Sequence, residues 1–117
     1  MDITSLFRLS GKQALVTGGN SGIGLAMARA MGLAGASVIL VARREGALKA
    51  AAENLAAEGI TASILAFDLD TPDAARACGA AAQERFGGID ILVNAAGVNL
   101  RQPFMEITAE TWLRQIN

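Results

Sequence analysis

The 117-residue chain has no histidine, no tyrosine and a single cysteine, Cys78. A disulfide within the chain is therefore impossible, and a metal site built from cysteine and histidine is not expected. We predict that Cys78 is a small buried side chain in an alanine-rich helix and that the chain binds no metal.

Strong charge and long apolar runs are also lacking. The formal net charge is -1, without a basic or acidic block, so nothing favours binding to nucleic acid or to an anionic membrane. The longest uninterrupted apolar run, VILVA, is too short to span a bilayer, and the N-terminal MDITSLFRLSGK lacks the pattern of a secretory signal. We expect a soluble cytoplasmic protein with neither nucleic acid nor membrane as a partner.

Apolar runs alternate with stretches of helical periodicity along the whole chain, in which 52% of residues are hydrophobic but only 4% aromatic. The predicted strands are QALVT from Gln13, SVILVA from Ser37, TASILAF from Thr61 and IDILVNA from Ile89. The helical stretches are GLAMARAMGLAG, EGALKAAAENLAAEG, TPDAARACGAAAQERFG and, from Thr108, TAETWLRQIN. Gly59 is predicted to cap the second helix, and Thr71 with Pro72 to begin the third.

This alternation predicts right-handed strand–helix–strand crossovers. The fold class is therefore α/β, a Rossmann-type doubly wound parallel sheet with helices on both faces. We expect about four strands in the order 3-2-1-4, within one domain that covers residues 1–117.

Four glycines fall within seven residues after the first predicted strand, at Gly18, Gly19, Gly22 and Gly24. Glycine there would allow a sharp turn at Gly18, close approach of backbone N–H groups to an anion at Gly22, and close packing of the next helix against the sheet at Gly24. The helix N-terminus would face a pyrophosphate. The same loop offers further contacts: hydrogen bonds from Asn20 and Ser21, and an apolar wall from Ile23.

The glycine spacing is Gly-x-x-x-Gly-x-Gly after Thr17, which differs from the commoner G-x-G-x-x-G and lacks the Gly-Lys-Ser/Thr end of a mononucleotide loop. A tight turn without any ligand is the alternative. The position of the cluster after the first strand of a strand–helix–strand unit favours a dinucleotide.

Three further motifs follow later strands in order: Asp68-Leu69 after the third strand, NAAG at residues 94–97 after the fourth, and Asn117 at the end. Together with TGGNSGIG at residues 17–24, they resemble the short-chain dehydrogenase/reductase family. The resemblance covers essentially the whole chain.

The resemblance implies a role for each of these residues. Asp68 would accept a hydrogen bond from the adenine amine beside the backbone of Leu69, and Asn94 would tie neighbouring strands together. Asn117 resembles the catalytic asparagine that orders a water in a proton relay. The residues implied to face the cofactor ribose are Ala95, Ala96 and Gly97. The alternatives are a loop or capping aspartate, a plain exit from a strand, and a surface asparagine.

Two arginines, Arg43 and Arg44, follow the second strand where NAD-dependent dinucleotide folds carry an acidic residue. A guanidinium pairs well with a 2′-phosphate, so Arg43 favours NADP(H), with NAD(H) possible and Arg44 as the rival for the same contact. Ser21 weakens this preference, because NADP-preferring relatives often have a basic residue at that position. A solvated loop arginine is the alternative.

The chain departs from the family in its catalytic residues. The family uses a tyrosine as general acid/base with a nearby lysine, whereas this sequence has no tyrosine and only Lys12 and Lys49. We therefore expect the N-terminal half of a longer, homo-oligomeric enzyme. By itself this part would bind the cofactor, lack activity and be marginally stable, because its fourth strand would be an uncovered edge.

The resemblance implies hydride transfer between a nicotinamide and a carbonyl or alcohol substrate. The overall sequence is similar to the sugar-acid branch, which includes gluconate 5-dehydrogenases, and to 3-oxoacyl-carrier-protein reductases. Arg101 and Gln102 would line a polar pocket or lie in solvent. A non-catalytic dinucleotide-binding module is the alternative function. A methyltransferase-type fold is a third, but Arg43 stands where that fold usually needs an acidic group.

Overall fold

The computed structural model describes residues 6–20, 22–69 and 71–95. Strands and helices alternate through this part of the chain, as predicted. The strands are β1 (Gln13–Thr17), β2 (Ser37–Ala42), β3 (Ala62–Ala66) and β4 (Ile91–Asn94). The helices are α1 (Gly22–Leu33), α2 (Glu45–Ala57) and α3 (Pro72–Phe86). The helix predicted from Thr108 lies outside the described residues.

The four strands form one parallel sheet in the order β3-β2-β1-β4, which confirms the predicted topology. Leu15 of β1 stands between Ile39 of β2 and Leu92 of β4, and the following residues of β1 pair with the same two strands in the same register. The strand order reverses at β1, because β2 lies on one side of it and β4 on the other.

Alternate residues of β1, β2 and β3 point into two separate apolar layers, whereas β4 adds Ile91 and Val93 to one layer and leaves Leu92 exposed. On one face, Val16 and Leu40 pack with residues of α1 and α2 that include Ala28, Leu48 and Leu55. On the other face, the strands pack against α3 through a second cluster: Leu15, Ile39, Val41, Leu65, Cys78 and Ala82. Helices therefore cover both faces, which requires the nearly continuous apolar strands seen in the sequence.

Cys78 is buried in α3, as predicted, and burial raises the pKa of its thiol. Among the described residues, no group of three or more acidic, histidine or cysteine side chains is arranged to hold a metal ion. In the same part of the chain, no helix combines the length and apolar character needed to cross a membrane.

The helix ends follow the predicted signals with two corrections. The Thr71 hydroxyl accepts a hydrogen bond from Ala74 N at 3.1 Å, and Pro72 begins α3. The C-terminal cap of α2 is Glu58 rather than Gly59. Gly59 is the residue after the cap, and its left-handed conformation (φ 82°) turns the chain away from the helix. α1 begins at Gly22, two residues before the predicted stretch.

Candidate functional site

The predicted site residues that the structure describes lie at one end of the sheet. All four strands are parallel, so their carboxyl ends meet there. Thr17 and the glycine turn end β1, Arg43 follows β2, Asp68 follows β3, and Asn94 ends β4. This end of the sheet includes the point beside β1 where the strand order reverses. Ligands usually bind at such a point in this type of sheet.

The glycine turn leaves β1 sharply at Gly18. Its N–H donates to Val41 O of β2 at 2.7 Å, and its φ of 69° lies in the left-handed region. A residue with a side chain would be strained in this conformation. Gly18 therefore ends the strand while still hydrogen-bonded to the neighbouring one.

Gly24 lets α1 begin directly on that turn. A Cβ atom at this position would lie 2.2 Å from Gly18 O and 2.8 Å from Gly18 C. The close contact is thus with the backbone of the turn, rather than with the sheet as the sequence had suggested. Any side chain at Gly24 would force the turn and the helix apart.

Gly19 is a packing position to which the sequence analysis assigned no role. A Cβ there would lie 2.8 Å from Leu40 Cδ2 and 3.0 Å from Val16 O. The sequence does show this fourth glycine beside the three spaced ones, and its presence could have indicated a close contact at Gly19. Only the tertiary structure shows that it faces Leu40 of β2.

The remaining described residues of the turn lie toward solvent. Gly22 has a φ of 59°, and a Cβ there would meet no atom within 4 Å. Ile23 is 76% exposed although it is a large apolar residue, and Asn20 is half-buried. The first residue of α1 therefore has open space beside its Cα, at the end of the helix where N–H groups have no partner within the helix.

A hydrogen-bond network around Thr17 joins the ends of β1 and β4. The Thr17 hydroxyl donates to Asn94 Oδ1 at 2.9 Å and accepts from Ala95 N at 3.1 Å. Ala95 N also lies 3.2 Å from Thr17 O. Thr17 is 7% exposed, so its hydroxyl holds the loop after β4 against the glycine turn from a buried position.

Both arginines after β2 are exposed. Arg44 is the residue before α2, in an extended conformation, and its carbonyl accepts from Leu48 N at 3.0 Å. Its side chain does not cap the helix. Arg43 lies between Arg44 and the end of β2, so both residues stand at the carboxyl end of this strand.

The two residues of the Asp68-Leu69 motif after β3 differ in their exposure to solvent. Asp68 is exposed, whereas Leu69 is half-buried and packs against the cluster beneath α3. The Leu69 side chain is thus part of the core, which leaves its backbone for contacts at the site. Six predicted residues lie outside the described part of the chain: Ser21, Ala96, Gly97, Arg101, Gln102 and Asn117.

The strand order and the strand-end loops define a Rossmann-type α/β protein. A family model described as "short chain dehydrogenase" matches residues 12–117. The chain therefore belongs to the short-chain dehydrogenase family, whose members are oxidoreductases.

One relative is gluconate 5-dehydrogenase from Gluconobacter oxydans (strain 621H), 41% identical over 112 residues, which are 96% of this chain and 44% of that protein. L-sorbose reductase from Gluconobacter frateurii, solved with NADPH and L-sorbose, is 40% identical, with a TM-score of 0.80 over 91% of this chain and 41% of that one. A gluconate 5-dehydrogenase from Burkholderia cenocepacia J2315, solved with NADP and tartrate, is 35% identical, with a TM-score of 0.86 over 98% of this chain and 45% of that one. The chain thus spans less than half the length of these relatives.

Proposed function

We propose that this chain is the NADP(H)-binding part of an oxidoreductase that transfers hydride between a nicotinamide and a carbonyl or alcohol substrate. The observation that carries the proposal is the Thr17 network, which holds the loop after β4 beside the glycine turn after β1. A dinucleotide needs binding groups from several strand ends at once, and this network fixes two of them together.

The glycine turn would hold the pyrophosphate of the cofactor. The open space at Gly22 lies beside the first turn of α1, whose N–H groups and partial positive charge suit an anion. Asp68 would bind the adenine, and Ala95 with the two residues after it would face a ribose. When bound, the nicotinamide supplies or accepts the hydride, and the residues described here bind and orient it.

The choice of NADP(H) over NAD(H) would rest on Arg43, with Arg44 as the alternative. Both side chains are exposed beside the end of β2, and a forked guanidinium suits the 2′-phosphate that distinguishes NADP(H). Two related structures contain NADPH or NADP, which agrees with this choice.

Cofactor binding tests the proposal without requiring activity. We would titrate the chain with NADPH and with NADH, following nicotinamide fluorescence, for the wild type and for the matched variants Arg43→Ala and Arg44→Ala. We expect tighter binding of NADPH, and about a tenfold loss of NADPH affinity in R43A with little change for NADH. Equal binding of both cofactors by wild type and R43A would contradict the role of Arg43.

For the whole enzyme we propose a sugar or sugar acid as substrate, with a 3-oxoacyl group as the second class. The related gluconate 5-dehydrogenases and the L-sorbose reductase support the first class. The alternative function, a dinucleotide-binding module without catalysis, predicts the same titration but no carbonyl-dependent oxidation of NADPH by the protein from its native source.

A further inference from the structure

β3 has a free edge in the described part of the chain, because it pairs only with β2. Val38 N donates to Thr61 O at 2.9 Å, and Phe67 N donates to Ala42 O at 2.9 Å. Backbone groups point alternately to the two sides of a strand, so residues 61, 63, 65 and 67 face β2. The residues whose backbone groups face away from the sheet are Ala62, Ile64 and Ala66.

This edge suits pairing with a second copy of itself. The segment TASILAF contains neither a charged residue nor a proline, the usual devices that keep edge strands apart. In an antiparallel pair related by a two-fold axis, Ile64 would stand opposite Ile64, and Ala62 opposite Ala66. Each outward N–H and C=O would then find a partner of the right kind.

Arg85 occupies the centre of this edge. It belongs to the last turn of α3, and its Nη1 donates to Ile64 O at 3.4 Å. Its guanidinium carbon also lies 5.1 Å from the centroid of the Phe86 ring, a cation–π distance. The two contacts together hold a positive charge at the Ile64 carbonyl. The two-fold axis of the antiparallel pair would pass beside this carbonyl.

We propose that Arg85 prevents β3 from pairing with β3 of a second copy of this chain. Pairing would require the Ile64 carbonyl to exchange Arg85 for a backbone N–H, and would bring two guanidinium groups together at the axis. Both requirements disfavour association. This role is independent of the dinucleotide site, which lies at the carboxyl ends of the strands.

Self-association of matched variants tests the proposal. We would compare the wild type with Arg85→Gln, Arg85→Lys and Arg76→Gln by sedimentation over a range of protein concentrations. Arg76 is the control, because it is exposed on the same helix and pairs with Asp73 at 3.2 Å. We expect R85Q to associate about tenfold more strongly than wild type, and R85K and R76Q to remain close to it.

Hydrogen exchange identifies the surface that associates. In R85Q the amides of Ala62, Ile64 and Ala66 should become protected as the concentration rises, whereas those of β4 should not. Adding Ala66→Lys to R85Q places a charge on the exposed end of the strand and should restore the wild-type association. The proposal is overturned if R85Q associates like wild type, if β4 becomes protected instead, or if the wild-type β3 edge is already protected.

Discussion

At the level of single residues, Thr17 joins the ends of β1 and β4. Its hydroxyl is buried and serves both Asn94 Oδ1 and Ala95 N, so one side chain fixes the relative position of two loops. The sequence marked Thr17 only as the residue before the glycines. Its partners are 77 and 78 positions away along the chain, a separation that no local pattern reveals.

Replacing the Thr17 hydroxyl tests this link. Thr17→Val keeps the shape but leaves Asn94 Oδ1 without this donor, so we expect a loss of about 1–2 kcal/mol in the free energy of unfolding and weaker NADPH binding. Thr17→Ser retains the hydroxyl and should recover most of both. Urea denaturation and the NADPH titration measure the two effects, and identical behaviour of T17V and wild type would count against the network.

The glycine turn gives a second prediction at this scale. Gly24→Ala would place a Cβ 2.2 Å from the Gly18 carbonyl oxygen. This clash can be relieved only if the backbone of the turn or of α1 shifts. We expect G24A to lose about 3 kcal/mol of stability through this overpacking.

Gly79→Ala is the matched control for that substitution. Gly79 is exposed in α3, and a Cβ there would meet no atom within 4 Å. An alanine at this position should stabilise the helix by about 0.5–1 kcal/mol. Denaturation midpoints that move equally in G24A and G79A would show that the close contact at Gly24 does not exist.

At the scale of elements, an ion pair joins α1 to the end of α2. The Arg29 guanidinium donates to both carboxylate oxygens of Glu58, with Nε at 2.9 Å from Oε1 and 2.7 Å from Oε2. Glu58 lies at the C-terminal end of α2, where the helix dipole disfavours an acidic group, so Arg29 offsets an unfavourable charge. The pair lowers the pKa of Glu58, chiefly through the hydrogen bond, and raises that of Arg29.

This pair makes the free energy of unfolding depend on pH. A carboxylate whose pKa is lowered by folding stabilises the folded state above its unfolded pKa, and this contribution is lost as the pH falls through the folded value. Arg29 stays protonated across this range and adds no dependence of its own. We therefore expect Glu58→Gln to be less stable than wild type at pH 7, with the difference shrinking below about pH 4.5.

Thermal melts between pH 7 and pH 3 measure this effect. Glu53→Gln is the control, because Glu53 is exposed within α2 and the same charge is removed. A stability difference between wild type and E58Q that stayed constant down to pH 3 would rule out the ion pair as its cause.

Gln13 shows why contacts between elements escaped the sequence analysis. Its Nε2 donates to Phe86 O at 2.7 Å and to Gly88 O at 2.9 Å, and its backbone N–H donates to Asp90 Oδ2 at 2.9 Å. These bonds hold the segment between α3 and β4 against the start of β1. Nothing in the periodicity of QALVT indicates these hydrogen bonds, because they form only when β4 pairs with β1.

At the level of the whole molecule, the proposed cofactor site is not accompanied by the tyrosine and nearby lysine that the resemblance to the family implies as general acid/base. The chain has no tyrosine. Lys12 directly precedes β1, at the opposite edge of the sheet from the candidate site, and Lys49 pairs with Glu45 at 3.6 Å within α2.

We therefore predict that the 117-residue chain binds NADPH without oxidising it in the presence of a sugar-acid or 3-oxoacyl substrate. The measurement is the absorbance of NADPH over time, paired with the intact mass and activity of the protein in its native source. A native mass corresponding to roughly 200–250 residues, together with activity, would support the oxidoreductase proposal. Carbonyl-dependent turnover by the 117-residue chain itself would contradict the prediction of inactivity.

Local sequence specified the alternation of elements, the glycine turn and the burial of Cys78, through hydrophobic periodicity and the backbone conformations that glycine favours. The strand order 3-2-1-4 was expected from the Rossmann-type pattern and the right-handedness of crossovers, and the structure confirms it. The tertiary structure alone decided that Gly24 rests on the Gly18 carbonyl, that Gly19 faces Leu40, and that Thr17 joins β1 to β4. The physical reason is that each of these contacts depends on the distance between chain segments after folding, which residue types and their spacing along the chain do not specify.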